Sequence, residues 1–431
     1  MLIRIASHNF SIVEDPTSEI QRLLSYTTKA YNPRFKRWKV SQTCLINNQG
    51  MFYTGLVPYV QEFIPEVQIV DERRFEDPPY HSPNLSITLR DYQLDYVFNA
   101  LKERRLVCHS SVASGKTAMM AAIISILKTP TLIMVPDLTI QNQLYTELAK
   151  LLPGLYEYTI GIPRNLIKKS TEALQQYKLL LVDECHTIAA DQATDVILRN
   201  NAHYRIGFTG TPTGRSDNKD LIIQGLLGRI SQYIEVDELV AKGYLAETST
   251  DIYYASWEGD YALLEQLLIV QNHRRNELIQ KILANHKGKT CLVLIRRIEH
   301  GELLQKMIPN SVLINGSVDG STREDVREQV KKGKIKILIA SNVFSTGLDI
   351  PNLDVVINAG GGKSEILTGQ KRGRVQRPYE GKCKKMIDIF DDWTKTLEMH
   401  SRERIRIYNN TGTPANLIGF PPNKERSIES D

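Results

Sequence analysis

Two short polar segments follow apolar runs and contain residue types that suit phosphate chemistry. The first, Gly115-Lys116-Thr117, lies between a strand-like run at 105–110 and a helix-like run at 118–127. A loop that ends at a helix N-terminus directs free N–H groups at an anion, and a lysine adds charge for β- and γ-phosphates. The Thr117 hydroxyl can hold a magnesium ion, and Ser114 belongs to the same loop. For this segment alone, a glycine turn before an ordinary core helix is the alternative.

The second segment is the acidic pair Asp183-Glu184, which ends the apolar run 179–183. Asp183 can hold Mg²⁺ through water, and Glu184 can polarise an attacking water. Near-continuous apolar strands that alternate with helices predict a parallel sheet buried on both faces. Ligands of such sheets bind beyond the carboxyl ends of the strands, where both segments are expected. The alternative, an exposed acidic turn, is weaker once both segments share one site.

Two further segments flank this pair along the chain. Upstream, the Gln93 amide can pair with an adenine edge and Tyr92 can stack on the ring, and Arg90 is a nucleotide-binding candidate in the same segment. An ordinary amphipathic helix at 89–101 is the alternative. Downstream, the Thr209 and Thr211 hydroxyls are suited to connect the carboxylates to a part of the protein that moves.

The elements that must position these residues form two α/β sets. The chain of 431 residues predicts two or three domains. We expect a small α+β domain at 1–80, a first lobe at 81–240, a second lobe at 241–400 and a tail at 401–431. The acidic, proline-rich segment Asp71–Pro83 is interpreted as a linker. Other predicted elements are helices at 18–25, 138–151, 272–283 and 322–331, and strands at 2–5, 10–13, 131–136, 204–207, 291–295, 336–340 and 386–390.

Composition excludes several classes of protein. A net charge of +5 means that any nucleic-acid footprint must be local. The five cysteines are scattered without a CxxC pair, so neither a zinc site nor a disulfide framework is indicated. We expect no membrane span, because no run of about 18 apolar residues occurs. The N-terminus is too short and polar for a signal peptide, so a reducing cytoplasm is expected.

A basic stretch stands out near the N-terminus, because no Asp or Glu occurs between Glu19 and Glu62. Cations there suit phosphates, and interleaved aromatic rings suit exposed bases or a duplex end. The candidates for DNA contact are Arg34, Lys36, Arg37, Trp38 and Lys39. A solvated basic face around a small aromatic core is the alternative interpretation.

Taken in order, the motifs resemble those of superfamily 2 helicases. They are Gln93, GKT at 115–117, DECH at 183–186, TGTP at 209–212, STGLD at 345–349 and QxxGRxxR at 370–377. The DECH variant, the LRDYQ segment and the stretch YNPRFKRW resemble bacteriophage branch-migration helicases of the UvsW type. Two departures are Ser110, where the P-loop pattern begins with glycine, and Ala113, where many helicases carry glycine.

The resemblance implies two tandem RecA-like parallel-sheet lobes, with ATP and Mg²⁺ as cofactors. Lys116 and Thr117 would hold the phosphates and Mg²⁺, and Thr209 and Thr211 would couple hydrolysis to movement. From the second lobe, Gly347 and Asp349 would contact nucleotide and DNA. Gln370, Arg374 and Arg377 would complete the catalytic site, with the two arginines as arginine fingers. Arg296 and Arg297 follow a strand of that lobe and are candidates to grip DNA phosphates.

The activity implied is that of an ATP-dependent DNA helicase or translocase. It would remodel forks, displaced-strand loops and four-way junctions in recombination, replication and repair. The partner would be branched DNA with single-stranded regions, and the protein a monomer in the cytoplasm of an infected bacterial cell. An RNA helicase of the same superfamily and a non-unwinding DNA-stimulated ATPase motor are the alternatives.

Overall fold

Four β-sheets and their connecting helices make up the part of the chain that the structure describes. This computed structural model describes residues 1–32, 37–110, 114–188, 191–210, 220–231, 236–244, 248–255, 266–316, 318–341, 353–361, 384–410, 415–421 and 428. The chain divides into two units, Met1–Ser110 with Gly115–Tyr233 and Ser111–Ser114 with Ile234–Asp431. No helix within the described ranges is long and apolar enough to cross a membrane.

The N-terminal part of the first unit has a mixed four-stranded sheet and a separate two-stranded ribbon. The sheet order is β5-β2-β1-β6, and β3 pairs only with β4 among the described strands. Thr17 caps α1 through its side chain, and the helix ends at Leu23, so it is shorter than predicted and Ser25 begins β3. The elements are β1 (Leu2–Ile5), β2 (Phe10–Val13), α1 (Ser18–Leu23), β3 (Ser25–Asn32), β4 (Arg37–Cys44), β5 (Met51–Tyr53), α2 (Val57–Phe63) and β6 (Gln68–Asp71).

The rest of the first unit is a five-stranded parallel sheet, here called the first lobe, in the order β7-β11-β10-β8-β9. Its strands are apolar on both faces because helices cover the sheet, as the sequence predicts. The elements are α3 (Asp91–Glu103), β7 (Arg105–His109), α4 (Lys116–Leu127), β8 (Thr131–Met134), α5 (Leu138–Leu151), β9 (Tyr158–Gly161), α6 (Pro163–Leu166), α7 (Thr171–Gln175), β10 (Leu179–Asp183), α8 (Asp191–Arg199), β11 (Tyr204–Thr209) and α9 (Asp220–Leu227).

The second unit is built on a seven-stranded parallel sheet, here called the second lobe, in the order β14-β15-β13-β16-β17-β12-β18. Two parallel α/β sheets in tandem are the predicted fold class. The elements are α10 (Val236–Ala241), β12 (Thr248–Ala255), α11 (His273–Asn285), β13 (Cys291–Ile295), α12 (Ile298–Met307), β14 (Ser311–Ile314), α13 (Gly320–Lys331), β15 (Ile337–Ser341), β16 (Val355–Asn358), β17 (Lys384–Asp391), α14 (Lys395–Asn410) and β18 (Ala415–Ile418).

The proline-rich segment after β6 connects the core of the N-terminal sheet to the core of the first lobe, as a linker would, but it also packs along the first lobe. The carboxylate of Asp77 accepts hydrogen bonds from Arg104 and from the Tyr204 hydroxyl, the latter at 2.8 Å. Further along, the His81 and Ser86 N–H groups donate to carbonyls of the first lobe at 3.0 and 2.9 Å. The segment is therefore a strap along the first lobe.

The N-terminal sheet also docks directly on the first lobe. The Asn9 side-chain amide donates to the Leu198 carbonyl at 2.8 Å. A Cβ on Gly55 would lie 2.2 Å from the Gln224 carbonyl oxygen, so the backbones of the two parts are in close contact. Because this approach leaves no room for a side chain, glycine is required at position 55.

The chain after residue 391 continues the second lobe. Helix α14 carries Arg404 and Tyr408 into the core, where both contact the Asp388 carboxylate at 2.9 and 2.7 Å. Strand β18 then pairs with β12 at the sheet edge. Residues 401–410 of the predicted tail are thus part of a packed helix.

Candidate nucleotide-binding and catalytic site

The GKT segment begins helix α4 immediately after a left-handed glycine. Gly115 has φ +84°, and Lys116 is the first helical residue. The positive φ of this turn favours glycine, and a Cβ at position 115 would lie 2.3 Å from the Gln93 side-chain nitrogen, so Gln93 would also have to shift. The result is the predicted strand, loop and helix, with the first-turn N–H groups of α4 at the loop. Ser111, Val112 and Ala113 lie outside the described residues.

The three candidates at the start of α3 lie together beside this loop. The Gln93 side-chain oxygen accepts the Arg90 backbone N–H at 2.9 Å and forms a capping box. The Arg90 guanidinium donates to the Tyr92 hydroxyl at 3.1 Å. Gln93 is buried against the loop, so the structure brings Arg90, Tyr92 and Gln93 to one side of the GKT segment.

The acidic pair faces the P-loop lysine. The Lys116 ammonium lies 3.5 Å from a Glu184 carboxylate oxygen. Burial alone would lower the pKa of Lys116, but the charges of Glu184 and Asp183 outweigh burial and raise that pKa. Lys116 is therefore fully charged at neutral pH and is held next to the residues predicted to serve metal and water.

The surroundings of Asp183 strongly shift the pKa of its carboxyl group. Burial is the main cause and the Glu184 charge is the second, and together they raise the pKa of Asp183 to about 7 despite the opposing charge of Lys116. A bound cation would relieve this concentration of negative charge. The chemistry of the site thus favours a divalent metal at these carboxylates.

A residue that the sequence analysis missed completes this cluster. The Thr117 hydroxyl donates to Glu147 Oε2 at 3.0 Å, and Gln143 donates to the other Glu147 oxygen at 2.7 Å. Glu147 lies on α5, and its charge also contributes to the raised pKa of Asp183. The four-residue spacing of Gln143 and Glu147 was a weak signal, since it places both side chains on one face of a helix.

These oxygen donors fit Mg²⁺ better than a softer metal. Magnesium prefers hard oxygen ligands and is commonly held by one or two carboxylates together with substrate phosphates and water. The described residues contain no group of three or more His, Cys, Asp or Glu side chains able to hold a metal. Thr117 and Asp183 are the residues that would hold Mg²⁺ together with nucleotide phosphates, and the ion would supply positive charge for phosphoryl transfer.

Strand β11 lies between β7 and β10 and places Thr209 beside the acidic segment. The buried Thr209 hydroxyl is 2.9 Å from His186 Nδ1, and the same nitrogen is 3.4 Å from Glu184. Thr209 is thus connected to Glu184 through one imidazole, which is a geometry suited to coupling. Thr211 lies outside the described residues.

In the second lobe, Arg296 and Arg297 follow β13 at the carboxyl edge of the sheet and are exposed. A Cβ on Gly360 would lie 2.8 Å from the Arg296 backbone nitrogen, so the neighbouring loop packs tightly under Arg296. Other candidates lie outside the described residues: Arg34, Lys36, Gly347, Asp349, Gln370, Arg374 and Arg377. The backbones of Arg37, Trp38 and Lys39 lie on β4, and their side chains are outside the described part.

Comparison with known proteins finds two matched domain regions and DNA helicase relatives. Residues 86–214 match the family described as type III restriction enzyme, res subunit, and residues 274–379 match the helicase conserved C-terminal domain. The chain is 24% identical to the ATP-dependent DNA helicase UvsW of Enterobacteria phage T4, over 91% of both chains. It is 25% identical to the DNA 3'-5' translocase XPB2 of Sulfurisphaera tokodaii, over 80% of this chain and 91% of that protein.

A solved structure agrees on the fold. Dbp5 of S. cerevisiae, bound to RNA and ADP BeF3, aligns with a TM-score of 0.55 at 12% identity, over 79% of this chain and 95% of that one. At this identity the likeness concerns the fold alone, two RecA-like lobes in tandem. The activity is shown by the two matched regions and by the DNA helicase relatives: the chain is an ATP-dependent DNA helicase or translocase of superfamily 2 that resembles the UvsW type.

Proposed function

We propose that this helicase remodels branched DNA, including forks, displaced-strand loops and four-way junctions, and that it acts as a monomer. ATP turnover would be supported by the first-lobe cluster, in which Lys116 supplies charge to phosphates and Glu184 polarises water. Gln370, Arg374 and Arg377 remain predicted contributors from the second lobe. Supplying arginines from another lobe would make hydrolysis depend on closure of the lobes.

The observation that carries the branched-DNA proposal is the β3–β4 ribbon. Its eight-residue strands pair from Ser25 opposite Cys44 to Asn32 opposite Arg37. The ribbon pairs with none of the other described strands. Its sequence is basic, and two cations, Arg34 and Lys36, belong to the segment that connects the strands.

A second DNA contact of this kind is what a branch-specific motor needs. A motor that grips one strand cannot distinguish a fork from a single-stranded tail unless another surface contacts a second arm. The ribbon lies between α1 and β5 in the chain, and the sheet that contains β5 is docked on the first lobe through Asn9 and Gly55. A contact made by the ribbon would therefore be tied to the unit that contains the ATPase residues. The resemblance to UvsW over 91% of the chain also supports this assignment.

The test is a charge-neutralised ribbon. Arg34, Lys36, Arg37 and Lys39 are each changed to Gln, and fork and single-strand affinities are measured across a salt series. For duplex DNA, the slope of log affinity against log salt concentration becomes shallower by roughly 0.9 for each phosphate contact that is removed. We expect weaker fork binding with a slope shallower by about 3 to 4, and little change for single strands. A matched control changes four exposed lysines of the first lobe to Gln: Lys102, Lys150, Lys168 and Lys178.

Unchanged fork affinity and slope in the ribbon variant would mean that the stretch is a solvated basic face. ATPase stimulation by single-stranded DNA, duplex, fork and RNA separates the remaining alternatives. Stronger stimulation by RNA than by any DNA would indicate an RNA helicase. Stimulation by DNA without strand separation would indicate a non-unwinding motor.

A further inference from the structure

The second lobe contains a cavity at the edge of its sheet where the strands begin. Its volume is about 450 Å³, and five lysines contribute to the lining: Lys287, Lys289, Lys331, Lys332 and Lys336. Strands β13 and β15 start here, whereas Arg296 and Arg297 follow the opposite end of β13. The cavity is therefore at the other edge of the sheet from the DNA-contact candidates of this lobe.

Two turns of the same sequence pattern form the cavity. Helix α11 leads through Lys287-Gly288-Lys289 into β13, and α13 leads through Lys332-Gly333-Lys334 into β15. Both glycines are left-handed, with φ +83° and +72°, as helix C-terminal turns commonly require. The parallel pairing of Cys291 with Ile337, and the hydrogen bond from the Cys291 N–H to the Lys336 carbonyl at 2.8 Å, hold the turns side by side.

The charge balance of the cavity is strongly positive. Lys331 is paired with Glu328 at 2.9 Å, but Lys287, Lys289, Lys332 and Lys336 are exposed. Asp354 is the one acid among the lining residues in the described part of the chain. Its carboxylate is buried and accepts the Thr290 N–H at 2.8 Å, so it is engaged with the backbone.

Helix capping accounts for only part of this arrangement. Lysines near helix C-termini interact favourably with the helix dipole, which explains Lys331 and Lys332. Lys289 and Lys336 lie beyond the helices, next to the first residues of β13 and β15. The fold requires glycine in each turn, but it does not require lysine at these flanking positions.

We propose that this cavity binds phosphate groups of a duplex arm of the DNA substrate, as a contact separate from the motor. Lysine ammonium groups are point charges that suit phosphate, and such contacts position DNA without reading its sequence. The inference rests on the proposed function only in taking branched DNA as the substrate.

The test changes Lys287, Lys289, Lys332 and Lys336 to Gln and measures affinity for a fork and for plain duplex over a salt series. We expect at least a tenfold loss at low salt, and a slope of log affinity against log salt that is shallower by roughly 3. Two variants control for fold and charge. The Lys→Arg version keeps all four charges and should bind as wild type does. The Gln version of Lys102, Lys150, Lys168 and Lys178 removes the same net charge elsewhere.

Three results would overturn the assignment. The first is equal binding by the cavity variant and the Lys102/Lys150/Lys168/Lys178 control. The second is a lower melting temperature of the cavity variant with unchanged DNA affinity, which would make the role of the lysines purely structural. The third is loss of inorganic tripolyphosphate binding, measured with ADP saturating the P-loop, while duplex affinity is unchanged. That result would identify a free oligophosphate as the ligand. If wild-type protein itself shows no preference for forks over single strands, the proposed function fails, whereas the duplex measurement still tests the cavity.

Discussion

Glu184 adopts a left-handed backbone conformation, with φ +47° and ψ +50°. Such a conformation in a residue other than glycine costs about 1–3 kcal/mol and persists only where the surroundings impose it. Here the Thr187 N–H and hydroxyl both donate to the Glu184 carbonyl at 2.9 Å, which fixes the turn after β10. In this conformation the Glu184 carboxylate lies 3.5 Å from the Lys116 ammonium and 3.4 Å from His186 Nδ1.

The position of Glu184 predicts a separation of binding from turnover. Changing Glu184 to Gln preserves the shape of the side chain but removes the charge proposed to polarise water, so we expect ATP binding to persist and turnover to fall by roughly 10²- to 10⁴-fold. Lys116→Ala removes the positive charge predicted to contact the nucleotide phosphates, so it should abolish turnover while DNA binding persists. Steady-state ATPase rates and nucleotide affinities check both variants. Turnover of the Glu184 variant within a few-fold of wild type would assign the base to another residue.

The parts of the site that lie within short sequence motifs could be predicted from the sequence. The pairing of Lys116 with the carboxylate after β10 follows from two motifs at the carboxyl ends of parallel strands. The bond from Thr117 to Glu147 was not predictable in the same way, because it depends on how α4 packs against α5. Similarly, the use of the Gln93 oxygen as a helix cap depends on local geometry that the residue type does not reveal.

At the scale of elements, long apolar runs gave accurate boundaries. Helix α5, strand β10 and strand β13 begin and end at the predicted residues, because each is an apolar pattern bounded by polar residues or a capping residue such as Asp137. The β3–β4 ribbon was missed because its strands lack an alternating apolar pattern. Helix α14 was missed because its many charged residues are typical of a solvated tail. One of them, Arg404, is in fact buried.

Helix α14 offers a test of this buried charge. Arg404 and Asp388 are almost fully buried and lie 2.9 Å apart. Burial alone would raise the pKa of Asp388, but the Arg404 charge and the Tyr408 and Asn358 hydrogen bonds lower it. Arg404→Ala would leave a buried carboxylate without its cation, so we expect the free energy of unfolding to fall by about 3–5 kcal/mol. Denaturant unfolding measures the change.

The matched control, Arg406, lies two residues after Arg404 on the same helix. Arg406 pairs with Glu403 at 2.8 Å, but its side chain is 62% exposed. Exposed pairs contribute about 0–1 kcal/mol, so Arg406→Ala should have little effect. Equal destabilisation by the two variants would show that loss of helix propensity, rather than the buried charge, controls stability.

At the scale of the whole molecule, the sequence predicted two tandem α/β lobes but not how the N-terminal sheet is held on the first of them. Parallel sheets follow from alternating apolar strands and helices within one stretch of chain. Docking depends on contacts between distant residues, such as Asp77 with Tyr204 and Asn9 with Leu198. A deletion ending near Pro79 would remove Asp77 and expose its partners, so charge variants of the ribbon are the sharper probe of that region.

The docking contact contains a half-buried histidine, His8, and a buried one, His203, and the pair makes the contact sensitive to acid. The His8, Phe75 and His203 rings pack together, with His8 and His203 centroids 5.2 Å apart. Burial, followed by the Arg105 charge, lowers the pKa of His8 to about 3, and burial, followed by the Arg104 charge, lowers that of His203 to about 4. Asp77 partly opposes the shift at His203. Both histidines are therefore neutral in the folded protein well below the pH at which a free histidine is charged.

The sign of the pH effect follows from these shifts. Between about pH 6.5 and 4 the unfolded chain binds protons at His8 and His203 that the folded chain does not bind, so stability falls as the pH is lowered through this window. The slope is at most about 1.4 kcal/mol per pH unit for each histidine. We expect the melting temperature of the first unit to decrease from pH 7 to 5.5, and a variant with both histidines changed to Gln to lose much of that decrease. His81→Gln, at an exposed site on the strap, is the control and should melt as wild type does at each pH. An equally steep decrease in the double variant would place the acid sensitivity elsewhere, and the N-terminal sheet would then be held independently of its histidines.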